Sequence, residues 1–294
     1  MKAFVFPGQG AQFEGMGKSL YQNNKDARMV FDQADEILGY RLSEVMFDGS
    51  ADDLKQTKIT QPALFVHSIA CMKVHLSEFD GSAVAGHSLG EFTALVAAKA
   101  LSFDSGLKLV YHRAMAMQEA CELSEGTMAA VLGLSDEIVE EVCNGIVDDV
   151  VVAANYNCPG QLVISGSLSG ILKAEELLKE KGAKRVLILP VGGAFHSPLM
   201  EPARAKLAES IEKTEFKTPL CPIYQNYTAS KSQDPDFIKK NLIEQLTGPV
   251  KWTQSILKMS NDGISHFVEI GGNGKVLTGL IKKIAANAET SAWV

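Results

Sequence analysis

The segment Gly86-His87-Ser88-Leu89-Gly90 places a serine between two glycines, in the G-x-S-x-G pattern of a nucleophile elbow. In such an elbow a strand turns sharply into a helix, and the serine hydroxyl is exposed at the turn. Glycine tolerates this strained backbone and lets the next element pack closely. The free N–H groups of the helix then favour the negative charge that develops during nucleophilic attack. We therefore interpret Ser88 as a nucleophile rather than as part of a plain structural turn.

A serine hydroxyl needs a base, and histidine is the usual one. His196 is the preferred candidate because it follows a predicted strand and two glycines, in a loop of the kind that presents functional groups. The other five histidines fit less well, since they lie on predicted helices, beside the serine, or before a strand: His67, His75, His112, His87 and His266. No aspartate stands out as a third triad member, so a backbone or amide carbonyl is expected to orient the imidazole.

One arginine is a candidate for substrate binding. The apolar residues of the predicted helix 104–121 fall on one face: Leu107, Val110, Ala114, Met117 and Cys121. Arg113 borders that face, so its guanidinium is expected to be partly buried and to need an anion. Two interpretations remain open: a structural ion pair, or a pair of parallel hydrogen bonds to a substrate carboxylate.

Composition limits the class of protein. A chain of 294 residues with 46% hydrophobic residues can bury a large core, and its net charge of −7 argues against a nucleic-acid partner. The five cysteines include no C-x-x-C pair, which argues against a disulfide framework or a zinc site. The N-terminal apolar run is too short for a signal peptide, and no run approaches a membrane span. We expect a cytoplasmic enzyme that contains no metal and contacts no membrane.

Alternating strand and helix signals position these residues in an α/β fold with a mostly parallel sheet. Residues 3–6 form a predicted strand that stops at Pro7-Gly8-Gln9-Gly10, a turn whose glycines allow a backbone N–H to approach a ligand. A second predicted strand, 82–85, precedes the elbow, and a helix is predicted over 89–101. Between the two predicted strands, a further helix is expected to begin at Pro62, with Thr60 as its N-cap.

The pattern changes at Thr127. Predicted elements follow in the order β-α-β-β-α-β, which is that of a ferredoxin-like domain: 128–134, 136–146, 150–154, 161–165, 171–181 and 185–191. The second and third strands are separated by the turn-rich segment 155–160. We predict a small domain over residues 127–191, inserted into a large domain made of residues 1–126 and 192–294.

Eight segments together resemble the malonyl-CoA:acyl carrier protein transacylase family, which includes the acyltransferase domains of fatty acid and polyketide synthases. They are FVFPGQGAQ (4–12), TQPALF (60–65), GHSLGEF (86–92), RAMAMQEA (113–120), NYNCPGQLVISG (155–166), AFHSPLM (194–200), QLTGPVKW (245–252) and GKVLTGL (274–280). They occur in family order over nearly the whole chain. The resemblance implies an α/β-hydrolase-like large domain with a ferredoxin-like insertion, in agreement with the division above.

The same resemblance implies the catalytic roles. Ser88 is the nucleophile, and His196 is the general base and acid. The backbone amides of Gln9 and Leu89 form the oxyanion hole. The backbone carbonyl of Gln245 orients His196, which accounts for the missing aspartate.

Substrate-binding roles follow in the same way. Arg113 binds the malonyl carboxylate with Met117 beside it, and Gln61 and Asn155 line the acyl or pantetheine cleft. Phe195, in the sequence Ala-Phe-His, matches the version found in malonyl-selective domains, whereas selectors of methyl-branched units tend to carry serine there. The chain departs from the family at Ala11, where serine is frequent, and in a longer glycine turn at 269–274.

The implied reaction is ping-pong acyl transfer in fatty acid biosynthesis, through a malonyl ester on Ser88. No cofactor is expected beyond the coenzyme A of the donor and the pantetheine of the acceptor. The implied partner is an acyl carrier protein, bound transiently by an enzyme that we expect to be a monomer. The basic residues Lys179, Lys181, Lys184 and Arg185 either bind this acidic partner or form a solvated helix end.

Three other interpretations fit the sequence less well. A serine esterase or thioesterase would use water as acceptor, but a simple hydrolase has no use for a buried cation such as Arg113. A non-catalytic docking module is disfavoured because a nucleophile and a base are both present. A domain excised from a larger synthase is disfavoured because the chain starts at Met1 and contains the full pattern.

Overall fold

Ten strands fall into two separate sheets in the computed structural model, which describes residues 1–294. The strands are β1 Lys2–Phe6, β2 Val84–Gly86, β3 Gly126–Leu132, β4 Val151–Cys158, β5 Gln161–Ser167, β6 Arg185–Ile188, β7 Ile223–Tyr224, β8 Lys231–Ser232, β9 His266–Ile270 and β10 Glu289–Trp293. The larger sheet has the order β10-β9-β1-β2-β7-β8, and the smaller one the order β6-β3-β5-β4.

Thirteen α-helices surround these sheets. They are α1 Lys18–Asn23, α2 Lys25–Leu38, α3 Leu42–Asp48, α4 Ala51–Lys55, α5 Thr57–Val74, α6 Gly90–Ala97, α7 Phe103–Leu123, α8 Asp136–Gly145, α9 Leu168–Glu180, α10 Glu201–Glu212, α11 Pro235–Gln245, α12 Trp252–Asn261 and α13 Val276–Ile284. No helix is long and apolar enough to cross a membrane.

The larger sheet is parallel except at one edge, where β8 runs antiparallel to β7. The predicted α/β class is therefore confirmed. In the register of this sheet Phe6 pairs with Gly86, and Ala85 pairs with Tyr224. The loops that follow β1, β2 and β7 consequently start side by side at the carboxyl edge of the sheet, where open α/β sheets bind ligands.

The smaller sheet is antiparallel throughout and arises from the element order β3-α8-β4-β5-α9-β6. Its strands alternate between two cores, as the two-residue period of a strand requires. Ala129 and Val131 pack in a cluster with α8 and α9, whereas Met128 and Ala130 belong to the main hydrophobic core. The sheet is thereby joined to the rest of the protein through its second face.

The predicted start of a helix at Pro62 is wrong. Helix α5 begins at Thr57 and contains Pro62 in its second turn. Pro62 has no backbone N–H, so the helix lacks one ladder hydrogen bond at this position and continues past it. Thr60 is not the N-cap; its hydroxyl donates instead to the backbone carbonyl oxygens of Leu54 and Gln56.

Several further boundaries differ from the sequence-based predictions by a few residues, among them those of β3, α9 and β6, and two others differ for a clear physical reason. Helix α6 ends at Ala97, because Lys99 adopts a left-handed φ of 59° and breaks the helix before Leu101. Strand β4 continues through most of the predicted turn, as far as Cys158. It is extended by pairing outside the small sheet, since the backbone N–H of Tyr156 donates to the carbonyl of Val250 at 2.9 Å.

Candidate active site

A cleft of about 250 Å³ opens at the carboxyl edge of the larger sheet. Met128 of the small sheet and the segment Leu189–Val191 after β6 complete its wall. Nine of the ten predicted site residues line this cleft: Gln9, Gln61, Ser88, Leu89, Arg113, Met117, Asn155, Phe195 and His196. The tenth, Gln245, is buried at the end of α11 and contacts several of them from behind.

Steric constraints shape the elbow that carries Ser88. A Cβ atom on Gly86 would lie 1.9 Å from the backbone carbon of Gly90, and one on Gly90 would lie 2.0 Å from the carbonyl oxygen of Phe6. Only glycine allows α6 to start this close to β1 and β2. Ser88 itself has a φ of 51°, a left-handed conformation that costs free energy for a non-glycine residue.

The serine hydroxyl and an imidazole form a hydrogen-bonded pair across 108 residues of sequence. Ser88 Oγ lies 2.8 Å from His196 Nε2, and His196 Nδ1 lies 2.8 Å from the backbone carbonyl oxygen of Gln245. Because a carbonyl can only accept, Nδ1 carries the proton and Nε2 presents a lone pair to the serine hydroxyl. The pair therefore has the geometry in which a histidine can remove the serine proton.

The environment of His196 keeps the imidazole neutral. Its side chain is buried, and burial lowers its pKa from 6.5 to about 3, with the positive charge of Arg113 as the second cause. A neutral imidazole at neutral pH is the form that can accept a proton.

Arg113 lies on α7 with only 1% of its surface exposed. Its guanidinium donates to the side-chain oxygens of Gln61 at 2.7 Å and Gln245 at 3.3 Å, and to Ser88 Oγ at 3.0 Å. Its Nε has no partner, and no carboxylate lies within the 4.0 Å that an ion pair requires. Burial lowers the pKa of Arg113 to about 10, so the group stays charged at neutral pH. The site thus holds a buried cation without a paired anion, beside the Ser88 hydroxyl.

The remaining predicted residues surround these groups. The backbone N–H groups of Gln9 and Leu89 donate to no acceptor within the protein. Gln61 is held by Arg113 and by Met117, whose sulfur lies 3.3 Å from the Gln61 amide nitrogen. Asn155 has a buried side-chain oxygen without a partner.

The other histidines lie outside this pair. His87 lines the cleft but forms no hydrogen bond with the serine hydroxyl; its Nε2 lies 2.9 Å from the side-chain oxygen of Asn157. His67 is buried in α5 and accepts from the N–H of Gly272. His75, His112 and His266 lie away from the cleft.

Two polar residues behind the cleft were missed by the sequence analysis. Asn226 follows β7 and is fully buried; its side-chain oxygen accepts from the N–H of Ser88 at 2.6 Å, and its amide nitrogen donates to the carbonyl of Gly86 at 2.7 Å. Glu91, in the first turn of α6, is also fully buried and accepts from the N–H of Asn226 at 2.9 Å. The position of Asn226 after a parallel strand was the one available signal, since such positions meet at the carboxyl edge.

Comparison with known proteins identifies the family. The family model described as "Acyl transferase domain" matches residues 3–293. The chain belongs to the acyl transferase family. Among curated members, the malonyl CoA-acyl carrier protein transacylase of Bacillus subtilis (strain 168) is 46% identical over 293 residues, which cover 99% of this chain and 92% of that protein.

Solved acyl transferase structures share the fold. The acyl-carrier-protein-S-malonyltransferase of Bartonella henselae superposes with a TM-score of 0.96 at 40% identity and covers 99% of this chain and 95% of its own. A malonyl-transacylase in complex with a type II PKS acyl-carrier protein superposes with a TM-score of 0.93 at 38% identity, covering 99% and 94% of the two chains. The α/β architecture described above is thus the one found in these acyl transferases.

Proposed function

We propose that this acyl transferase moves the malonyl group from malonyl-CoA to the pantetheine thiol of an acyl carrier protein in fatty acid biosynthesis. The observation that carries the proposal is the buried, unpaired guanidinium of Arg113 beside Ser88 Oγ. Such a cation favours an acyl group that ends in a carboxylate, and malonyl is one. The names of the relatives point to the same donor and acceptor.

The proposed reaction has two half-reactions. Ser88 Oγ attacks the thioester carbon while His196 Nε2 takes the hydroxyl proton, as the 2.8 Å contact between these atoms allows. The C–S bond then breaks, and the proton on His196 passes to the thiolate of coenzyme A. In the second half-reaction His196 removes a proton from the pantetheine thiol, and the sulfur attacks the ester carbon. The bond between that carbon and Ser88 Oγ then breaks, and His196 returns the proton to Ser88 Oγ.

Backbone amides would hold the oxyanion of each tetrahedral intermediate. The free N–H groups of Gln9 and Leu89 are the proposed donors, and such donors contribute about 3–4 kcal/mol each to the transition state. A Cβ atom on Gly8 would lie 2.5 Å from the carbonyl oxygen of His87, so glycine is needed to bring the Gln9 loop against the elbow.

The finer fold description is also an inference. We infer an α/β-hydrolase-like large domain over residues 1–126 and 192–294, and a ferredoxin-like small domain over residues 127–191. The antiparallel order β6-β3-β5-β4 and the β-α-β-β-α-β sequence support the second assignment. The chemistry above uses only side chains, backbone amides, the thioester and the thiol, so we propose that no metal or organic cofactor takes part.

A transferase and an esterase differ in the acceptor of the acyl group, which is the pantetheine thiol for the first and water for the second. The proposed function is tested by measuring how much of the acyl group reaches each acceptor. Labelled malonyl-CoA is mixed with the enzyme and an acyl carrier protein bearing pantetheine, and both malonyl-carrier and free malonate are quantified. We expect the label to appear on the carrier protein much faster than as free malonate. Rapid free malonate in the presence of the carrier would support the hydrolase instead.

The pH profile should reflect the low pKa of His196. The base must be neutral, so activity is present above its pKa and is lost below it; with a pKa of about 3, kcat/KM should stay flat between about pH 8 and about pH 5. In the complex the malonyl carboxylate would offset the charge of Arg113 and thereby raise the pKa of His196. The fall of kcat at acid pH should therefore begin at a higher pH than the fall of kcat/KM. Steady-state rates across this range check both points, and a kcat/KM limb near the ordinary histidine pKa of about 6.5 would contradict them.

Phe195 is proposed to favour malonyl over methylmalonyl donors. Its ring lines the cleft next to His196 and is only 6% exposed, so an α-methyl branch would be crowded. Steric pockets discriminate by about 1–3 kcal/mol for one methylene, so Phe195→Ser should relax the selectivity by roughly ten- to two-hundredfold at most. The ratio of kcat/KM for the two donors is the measurement. An unchanged ratio would show that another residue selects the donor.

A basic surface on the small sheet is proposed to bind the carrier protein. Lys179 and Lys181 form ion pairs with Glu175 and Glu141, whereas Lys184 and Arg185 are exposed and form no ion pair. We therefore propose Lys184 and Arg185 as the residues that bind the carrier protein. Reversing both charges (Lys184→Glu with Arg185→Glu) should raise KM for the carrier protein several-fold and leave KM for malonyl-CoA nearly unchanged. Equal effects on both constants, or none, would exclude this surface.

A further inference from the structure

Glu91 is a buried carboxylate for which the proposed reaction has no direct use. It lies three residues after Ser88, in the first turn of α6, and it is 0% exposed. No lysine, arginine or histidine lies within 4.0 Å of its oxygens, so it forms no ion pair. Buried charges without a pair are costly and are rare in proteins unless several hydrogen bonds hold them.

Three N–H donors converge on this carboxylate. Oε1 accepts from the amide nitrogen of Gln225 at 2.9 Å. Oε2 accepts from the backbone N–H of Asn226 at 2.9 Å and from the amide nitrogen of Gln245 at 3.0 Å. All three partners donate, so the group that fits among them is an ionised carboxylate, which only accepts. Burial raises the pKa of Glu91 above its ordinary value, and the three hydrogen bonds and the charge of Arg113 oppose this rise only in part, so the ionised form is inferred from the donor geometry.

Two of the three partners also hold the reacting groups. Asn226 accepts from the N–H of Ser88 and donates to the carbonyl of Gly86, so it fixes both sides of the elbow. The Gln245 amide nitrogen also donates to the carbonyl oxygen of Ser88 at 3.1 Å. The same residue orients His196 through its backbone carbonyl and accepts from Arg113 through its side-chain oxygen.

We propose that Glu91 is a positioning residue for acyl transfer: its carboxylate fixes Asn226 and Gln245, and through them the alignment of Ser88 with His196. The inference rests on the proposed function in one respect, that Ser88 is the nucleophile and His196 its base. Glu91 touches neither substrate nor reacting atoms. Its removal is expected to lower the rate of nucleophilic attack and to leave the affinity for malonyl-CoA largely intact.

Glu91→Gln tests this with little change in volume. An amide at this position turns its NH2 group toward the Gln225 donor in one orientation and toward the Asn226 and Gln245 donors in the other. It also exchanges charge-assisted hydrogen bonds for neutral ones, which are about half as strong. We expect kcat to fall roughly ten- to a hundredfold, with KM for malonyl-CoA within about threefold. Phenylmethanesulfonyl fluoride reports on Ser88 alone, because the serine oxygen attacks sulfur, fluoride leaves and the proton passes to the base. Its inactivation rate should fall by the same factor as kcat.

The chain supplies a matched control. Glu269 on β9 is equally buried at 0% exposure, its pKa is also raised by burial, and it accepts from the N–H of Thr278, away from the cleft. Glu269→Gln should lower the melting temperature while the inactivation rate stays unchanged.

The outcomes separate the inference from the proposed function. If Glu91→Gln lowers only the melting temperature, like Glu269→Gln, Glu91 is structural and the inference is wrong. A rise in KM alone, with a normal folded fraction, would also overturn it. If the unmodified enzyme itself does not react with the sulfonyl fluoride, the proposed role of Ser88 fails first, and the inference fails with it.

Discussion

Arg113→Ala lowers kcat/KM for malonyl-CoA by roughly two to four decades in our expectation, because each charge-assisted hydrogen bond contributes about 1.5–3 kcal/mol. The variant also leaves the malonyl carboxylate desolvated and unpaired in a buried site. The physical basis is the position of the guanidinium, which is 1% exposed, contacts Ser88 Oγ and has no protein carboxylate as partner. Transfer rates with purified enzyme and increasing donor concentration give the constant.

Acetyl-CoA provides the internal control for this prediction. Its acyl group has no carboxylate, so its transfer should be unchanged or improved once the unpaired cation is gone. Arg113→Lys should restore only part of the malonyl activity, since an ammonium group cannot form two parallel hydrogen bonds. Equal slowing of both donors by Arg113→Ala would mean that the arginine is structural, and the case for a carboxylated acyl group would lose its physical support.

Loss of the proposed base, His196, should have an effect at least as large. His196→Ala removes the group that lies 2.8 Å from Ser88 Oγ, and kcat should fall on the order of 10⁴- to 10⁶-fold, as for residues that act as one catalytic unit. Because the two groups act together, Ser88→Ala combined with His196→Ala should be little worse than either change alone. Acyl-carrier formation under single-turnover conditions measures these rates.

An exposed histidine serves as the control for that comparison. His112 lies on the solvent side of α7, and His112→Ala should transfer malonyl at the rate of the unmodified enzyme. Additive losses in the double variant, or a His196→Ala enzyme that keeps a tenth or more of its activity, would contradict the assignment of His196 as the base.

Local sequence patterns predicted part of this site because some constraints are local. The two glycines around Ser88 are required by contacts within a few residues and with β1, so the motif itself predicts a strand, a tight turn and a helix. The position of His196 after two glycines indicated a functional loop. Its pairing with Ser88 depends on tertiary structure that spacing alone does not contain, so local pattern made His196 only the preferred candidate, and the resemblance to a known family implied its role.

Local sequence patterns do not predict the positions of the groups behind the cleft. The carbonyl of Gln245 is a backbone atom, so no residue type signals its role. Glu91 in the first turn of a helix is what the helix dipole favours at a solvent-facing end, and the sequence does not show that its side chain turns inward. The helix that contains Pro62 was misplaced for a related reason, because tertiary packing tolerates a proline that local preference puts at the first position.

The most direct test of the account is the intact mass of the enzyme after brief mixing with malonyl-CoA, without a carrier protein. We expect one malonyl group to be added, the label to map by peptide analysis to Ser88, and the Ser88→Ala enzyme to remain unlabelled. Addition of a pantetheine-bearing carrier protein should then remove the label and transfer it to the carrier. An enzyme that transfers malonyl without ever carrying it on Ser88 would contradict the proposed mechanism.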